Sequence, residues 1–309
     1  MWSNYGWAVQ ELETRARDML EIDESKAIIA CSSGTTACHA LLYGIMRAKG
    51  KDLRVGTQDF TFATNSLGPA SGPIVTDMRG DLNADLDDPY IVSSVDIMIV
   101  TNVFGHLQDI DYVQEKITDT GKILIFDNAT VPYTFWNGKN INNYGVGSFV
   151  SLHHTKLIGF GEGGIVIVDK EYEDWVRIAT NYGKVGEQFN ERSGNYKMSE
   201  ISAAGILQYW DQFDFAELRK HVLDNYYALK YKLRDEPGVG WINYGDDENF
   251  FPAWYPVVYD TPELAVPFDE KHSSKHYYHP LRGFPVSTEL YNRTLCYSMA
   301  EGWDKCLKK

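Results

Sequence analysis

The feature that most constrains this chain is a series of short apolar runs that barely alternate. They are Ala27-Ile28-Ile29-Ala30-Cys31, Ile97-Met98-Ile99-Val100, Ile123-Leu124-Ile125-Phe126 and Ile165-Val166-Ile167-Val168. Strands with one wet face alternate apolar and polar residues, whereas strands covered on both faces read as continuous Val/Ile stretches. Shorter runs at Leu53-Arg54-Val55, Pro73-Ile74-Val75 and Ser148-Phe149-Val150-Ser151 fit the same series. Between or beside them, residues 8–20, 37–48 and 110–118 carry apolar residues at helical spacing. The pattern predicts an α/β domain with a mostly parallel central sheet flanked by helices. A largely helical stretch over 198–233, with Ile201, Ile206, Trp210, Phe213, Leu218, Val222 and Leu229, leads out of it. The boundary is placed at 215, giving a large domain over 1–215 that includes the N-terminal helix, and a small C-terminal domain over 216–309. Beyond Pro237-Gly238 the sequence turns aromatic and irregular, with Trp241, Tyr244, Phe250, Phe251, Trp254 and Tyr255.

A formal net charge of -14 excludes nucleic-acid backbone binding as a main role. No apolar run reaches the roughly 20 residues needed to cross a bilayer, so no membrane partner is expected. Cys31, Cys38, Cys296 and Cys306 show no CxxC spacing, which suits a reducing compartment. The N-terminus lacks a basic and then apolar leader pattern, and a cytoplasmic location is expected.

The chemistry-bearing positions fall at strand ends. Ser33-Gly34-Thr35-Thr36 closes one predicted strand and opens a helix. Its N–H groups and hydroxyls could cradle a phosphate, or Ser33 could simply cap the helix. Neither a P-loop lysine nor a GxGxxG follows, which makes a nicotinamide oxidoreductase remote. Asp127 ends the Ile123–Phe126 run, where open α/β sheets place ligands. It is either a helix cap or a buried carboxylate facing a protonated ring nitrogen. Phe60-Thr61-Phe62 offers aromatic faces, for core filling or for stacking on a flat ring. Lys156 lies between two strand-like stretches, just ahead of Gly159-Phe160-Gly161-Glu162-Gly163-Gly164. It reads either as a loop lysine or as a desolvated amine suited to Schiff-base chemistry. His153 and His154 are expected to point to opposite sides of a strand with no acidic partner, so no metal site is expected.

Taken together, these segments resemble the DegT-type sugar aminotransferases of the fold-type-I pyridoxal-phosphate superfamily. The matching stretches are Ser33 to Ala37, Phe60 to Thr64, Phe126-Asp127-Asn128-Ala129, Ser151 to Gly164 and Asn195-Tyr196-Lys197-Met198-Ser199-Glu200. More weakly, His276 to Leu281 and Phe284 to Leu295 resemble the family's closing region. The resemblance implies pyridoxal 5'-phosphate as cofactor and a small, trimmed C-terminal α+β domain. It implies that Lys156 carries the cofactor and shuttles a proton, Asp127 binds the ring nitrogen and Phe62 stacks on the ring. Gly34, Thr35 and Ser151 would hold the phosphate, and Asn195 would reach it from the neighbouring subunit of a homodimer. Glu162 and the glycines near it would shape the loop around Lys156. Glutamate would donate nitrogen to the keto group of a nucleotide-linked sugar, with Tyr5, Lys184, Tyr278 and Arg282 in segments that approach substrate.

The chain departs from the family pattern in places. Thr130 stands where Gln or His is common near the cofactor's phenolic oxygen, Lys197 replaces Arg, and Asn102 replaces His. The stretch between Val258 and Tyr277 is short, and little helix is expected after Met299. Two alternatives stay open: amination of a keto cyclitol, and a scaffold or regulatory protein that keeps the fold without turnover. In one subgroup histidine replaces the lysine and the reaction is dehydration, but Lys156 holds the lysine position ahead of Gly161-Glu162-Gly163-Gly164.

Overall fold

A computed structural model describes residues 5–189, 192–212, 214–234, 237–240, 251–265 and 274–299. The positions Phe213, Trp241, Tyr244, Phe250 and Cys306, the middle of the short stretch after Val258, and the residues after Met299 lie outside the described residues.

The chain begins with helix α1 (Trp7–Leu20), strand β1 (Lys26–Cys31), helix α2 (Gly34–Ala48), and strands β2 (Val55–Gln58) and β3 (Ile74–Thr76). Next come α3 (Pro89–Ser94), β4 (Ile97–Thr101), α4 (Ile110–Val113), continued by a π turn, and β5 (Ile123–Asp127). A small hairpin, β6 (Phe135–Trp136) and β7 (Lys139–Asn140), precedes β8 (Gly147–Ser151) and β9 (Gly164–Asp169). Helices α5 (Glu173–Thr180), α6 (Glu200–Asp211) and α7 (Phe215–Leu233) follow. The C-terminal part holds β10 (Val239–Gly240), β11 (Trp254–Tyr259), β12 (Ser274–Lys275), α8 (Pro285–Arg293) and β13 (Thr294–Ser298).

The large sheet has the order β1-β9-β8-β5-β4-β2-β3. Its β8-β5-β4-β2-β3 portion is parallel, while β9 runs antiparallel to both β1 and β8. The expected parallel sheet is therefore interrupted by one reversed strand. The connection from Ser151 to Gly164 contains no helix to carry a parallel crossover, and β9 returns beside β8 antiparallel.

The non-alternating runs have the explanation anticipated. Along β1, Ile28 and Ala30 pack into one core cluster and Ala27, Ile29 and Cys31 into the other. In β9, Ile165 and Ile167 join the first and Val166 and Val168 the second. Both faces are dry, and each such Ile or Val contributes about 1.5–3 kcal/mol by burial. The first cluster is roofed by α1, α6 and α7 through Leu12, Ile206, Trp210, Leu218 and Tyr226, and continues into the C-terminal sheet at Tyr255 and Tyr297. The second is covered by α2 and α5 through Leu41, Ile45 and Val176.

Two boundaries differ from the sequence pattern. Helix α2 starts at Gly34, ahead of the apolar periodicity, because Ser33 and Thr36 form a reciprocal capping box. Strand β2 runs on through buried Thr57 and Gln58. The Gln58 amide is satisfied there, accepting the Thr101 N–H at 3.0 Å and donating to the Phe60 carbonyl at 3.2 Å.

The C-terminal sheet has the order β10-β11-β13-β12. Helix α8 is tied to the large sheet by carboxylates. Asp77 accepts the Val286 and Ser287 N–H groups at 3.1 and 2.9 Å, and Asp59 takes two more from the preceding turn.

Candidate active site

A cavity of about 380 Å³ opens at the carboxyl ends of β1, β4, β5 and β8. Gly34, Thr35, Phe62, Asp127, Thr130, Ser151, Lys156 and Tyr278 all line it, so the structure gathers eight sequence-picked positions around one space.

One end is built for an anion. The intrahelical ladder of α2 begins with the Ala37 N–H donating to the Ser33 carbonyl at 2.9 Å, which leaves the Gly34 and Thr35 N–H groups ahead of it. The helix dipole points its positive end the same way. The Ser33 side chain caps the helix through the Thr36 N–H, so the Gly34 and Thr35 N–H groups are not taken up by the cap. Approach is tight. A Cβ on Gly34 would lie 3.0 Å from the Ser151 Cβ, and one on Gly164 only 2.2 Å from the Ser33 carbonyl oxygen. The Thr35 and Thr64 hydroxyls meet at 2.9 Å beside it.

At the floor, Asp127 ends β5 and pairs in register with Thr101 of β4 and Phe149 of β8. It is only 3% exposed. Its Oδ1 accepts the Ala129 N–H at 3.1 Å, and its Oδ2 accepts from Asn65 Nδ2 at 2.9 Å. Burial pushes its carboxyl above the ordinary range, despite these hydrogen bonds and the nearby Lys156 ammonium. A carboxylate so placed gains from a cation inside the cavity.

Lys156 sits on a folded tip between β8 and β9. Its N–H donates to the His153 carbonyl at 2.8 Å, and the Gly159 N–H donates to its carbonyl at 3.0 Å. Gly159 permits this turn, since a Cβ there would sit 2.0 Å from the His153 carbonyl oxygen. The side chain is half-buried, and loss of water lowers its pKa, with Asp127 opposing the shift. An amine that sheds its proton more readily is the form that attacks a carbonyl carbon.

Aromatic rings form the remaining wall. Phe62 stands at the rim, 54% exposed, with its ring edge-on to Tyr278 at 6.2 Å. Tyr278 stacks on Phe104 at 5.2 Å with 5° between planes. Phe104 holds φ at +59°, a left-handed backbone that a bulky residue adopts only under constraint. Thr130 is buried in the cavity lining, and its hydroxyl donates to the Asn102 carbonyl at 3.3 Å. Asn102 itself donates to Asn128 at 2.6 Å and accepts the Gln108 N–H at 2.8 Å, so it serves a buried amide chain.

Other predicted positions lie outside this lining. Asn195 is exposed and bridges Asn181 through the backbone. Lys184 lies 5.4 Å over the Phe189 ring, and Tyr5 donates to Glu13 at 2.7 Å. Arg282 is exposed, with its backbone N–H donated to Asp59 at 2.5 Å. Lys197 donates to Asn181 at 2.7 Å and rests 4.7 Å over Tyr182.

The histidine expectation is corrected. His153 and His154 lie in a turn after β8, not on the strand, with ring centroids 4.0 Å apart, and His153 Nε2 stands 3.4 Å from Glu162 Oε1. Among the described residues, no group of three His, Cys, Asp or Glu could hold a metal ion.

Sequence reasoning missed Thr64, Thr101, Trp254 and Tyr277 as lining residues and Asn65 behind the floor. Thr101 could have been found as the strand end beside Asp127. Trp254 and Tyr277 come from the C-terminal sheet region and carry no local signal of where they pack.

The anion cradle, the buried carboxylate and the desolvated amine fit pyridoxal 5'-phosphate by phosphate, ring nitrogen and aldehyde. Comparison with known proteins agrees. GDP-perosamine synthase of Vibrio cholerae is 23% identical over 215 residues, which cover 67% of this chain and 58% of that protein. The enzyme of the same name from Escherichia coli O157:H7 is 23% identical over 233 residues, covering 72% and 63%. The matched region thus spans less than two thirds of these curated relatives. A DegT DnrJ EryC1 StrS aminotransferase from Brucella abortus superposes with a TM-score of 0.79 at 22% identity, over 96% of this chain and 86% of that one. Helicobacter pylori PseC, an aminotransferase involved in the biosynthesis of pseudoaminic acid, gives 0.80 at 14% identity, over 96% and 87%. Both share the fold. The sequence profile of the DegT/DnrJ/EryC1/StrS aminotransferase family matches residues 1–270, and the chain belongs to that family.

Proposed function

We propose that the chain is a pyridoxal-phosphate-dependent aminotransferase that moves nitrogen from glutamate to the keto group of a nucleotide-linked sugar. The observation that carries this reading is the desolvated Lys156 amine in one cavity with buried Asp127 and the α2 anion cradle. The curated relatives named for GDP-perosamine support the acceptor class.

When bound, the cofactor supplies an aldehyde that joins amines and a ring that draws electrons from the substrate carbon. The chain's residues do the rest. Lys156 Nζ would hold the cofactor and then, as a free amine, move a proton between the substrate carbon and the cofactor. The Asp127 carboxylate would keep the ring-nitrogen proton in place, the condition for the ring to withdraw electrons. The Gly34 and Thr35 N–H groups and the Ser151 hydroxyl bind the phosphate, and Phe62 covers the ring's outer face. Thr130 would face the cofactor from the cavity lining, and the Tyr278–Phe104 stack beside Phe62 would help exclude water.

Asn195 completes the neighbour's phosphate site in a homodimer. Its segment exposes Tyr182, Val185 and Phe189 at 43, 47 and 65%, apolar area that a second copy would cover. The free thiols Cys31, Cys38 and Cys296 suit a reducing cytoplasm. Among the described residues no helix is long and apolar enough to cross a membrane.

Borohydride reduction of the yellow holoprotein should leave the cofactor mass on the peptide containing Lys156. Glutamate should convert the bound cofactor to its amine form, and keto sugars linked to nucleotides should reverse that conversion better than keto cyclitols. A folded chain that takes up no cofactor defeats the proposal. Uptake without conversion by glutamate leaves the scaffold reading.

A further inference from the structure

Behind the cavity floor lies a polar knot centred on Asn65, a residue that the sequence analysis did not single out. Asn65 is fully buried at the end of a short 3-10 turn, out of reach of the cavity. Its Nδ2 reaches Asp127 Oδ2 at 2.9 Å, Thr61 Oγ at 2.8 Å and Thr101 Oγ at 3.0 Å. The two threonine hydroxyls meet at 2.6 Å, and Thr101 Oγ stands 3.5 Å from the same Asp127 oxygen. The amide cannot flip without loss, because its Oδ1 faces the Cys38 thiol at 4.0 Å and can donate nothing to Asp127. A buried carboxylate stays charged only where donors face it, and Oδ2 receives its short donor from Asn65.

We infer that Asn65 is a positioning residue that fixes Asp127 Oδ2 and keeps it ionised, so that the cofactor ring nitrogen retains its proton. This rests on the assignment of Asp127 to the ring nitrogen. Asn65 is not among the residues that line the cavity and would act through Asp127. The two threonines hold the amide's plane, so that one N–H aims at the carboxylate whatever the cavity contains.

The test compares Asn65→Thr with Asn65→Val, which match in shape and differ in one hydroxyl donor. Each is loaded with cofactor labelled with nitrogen-15 in the ring, and ring-nitrogen protonation is followed by NMR across pH. In Asn65→Val the ring should lose its proton about one to two pH units below the wild type, the worth of one hydrogen bond to a charged group. Asn65→Thr should recover part of that shift. Equal titration in wild type and Asn65→Val, with cofactor bound, overturns the inference. Asp127→Ala separates the layers. If it leaves the ring proton untouched, the assignment of Asp127 fails. If it removes the proton while both Asn65 variants titrate as wild type, only the role of Asn65 fails. Should the variants not fold, the unsubstituted apoprotein still decides. The Asn65 side-chain amide resonances should move as Asp127 titrates, and resonances that stay fixed refute the coupling.

Discussion

Asp59 accepts the backbone N–H groups of Arg282 and Phe284 at 2.5 and 2.7 Å, so a carboxylate just past β2 holds a turn of the C-terminal region to the large sheet. Asp59 is fully buried, and its main-chain carbonyl takes a third N–H, from Leu281, at 3.0 Å. The neighbouring Tyr278 reaches the cavity from this anchored stretch.

Asp59→Ala therefore leaves the Arg282 and Phe284 N–H groups without their carboxylate acceptor. Urea unfolding should show a loss of about 2–4 kcal/mol, the scale of hydrogen bonds to a charged acceptor. Asp59→Asn keeps one acceptor oxygen and should lose less.

Lys156 sets stability against function in the apoprotein. Its folded pKa is lowered, so between that value and the ordinary lysine value the unfolded chain binds more protons. Stability contributed by the neutral amine is thus present at high pH and lost as pH falls through this window. Lys156→Met should remove that slope and unfold at higher urea than wild-type apoprotein at neutral pH, while losing the reducible cofactor linkage. A midpoint below wild type contradicts this.

Glycines at the anion cradle should rank by clearance. Gly164→Ala places a Cβ 2.2 Å from the Ser33 carbonyl oxygen, whereas Gly34→Ala meets Ser151 Cβ at 3.0 Å. Gly164→Ala must displace the start of α2, at about 1–3 kcal/mol, and absorbance titration should show tenfold or weaker cofactor binding. Gly34→Ala should show a smaller loss.

Trp254 and Tyr277 meet at 5.7 Å and 73° on the cavity wall supplied by the C-terminal region. Under the proposed function, Trp254→Ala should slow the half-reaction with the sugar acceptor by up to about tenfold, the loss expected of an aromatic contact, with the half-reaction of the amino donor changed less. Stopped-flow measurement of each half-reaction separates the two.

Much of this was legible in the residues, and the reason differs between positions. The both-face burial of β1, β4, β5 and β9 showed in their unbroken Val/Ile runs, because each face of a covered strand meets its own core cluster. Asp127 was legible because it directly follows such a run. Lys156 stood out through its glycine-rich company, and Gly159 and Gly164 proved to be close-approach positions. The reversal of β9 was not legible, since strand direction leaves no trace in a short apolar run. His153 and His154 were misread because the strand stops at Ser151, where the chain turns to bring His153 against Glu162. Asn65 was hidden because Thr101 and Asp127, two of its partners, meet only through the register that pairs β4 with β5. Asn195 and Lys184 carry no geometry toward the cavity within one chain.

Gly164 pairs with Cys31 on one side and Ser151 on the other, at the point where β9 enters the sheet. The segment that carries the amine therefore leaves and rejoins the scaffold at a single rung, where Ser151 faces Gly164. Insertions or deletions within it would change how far the amine extends while both footings stay put. A lineage could retune this reach by editing a single loop, without rebuilding the barrier-like platform of strands beneath it.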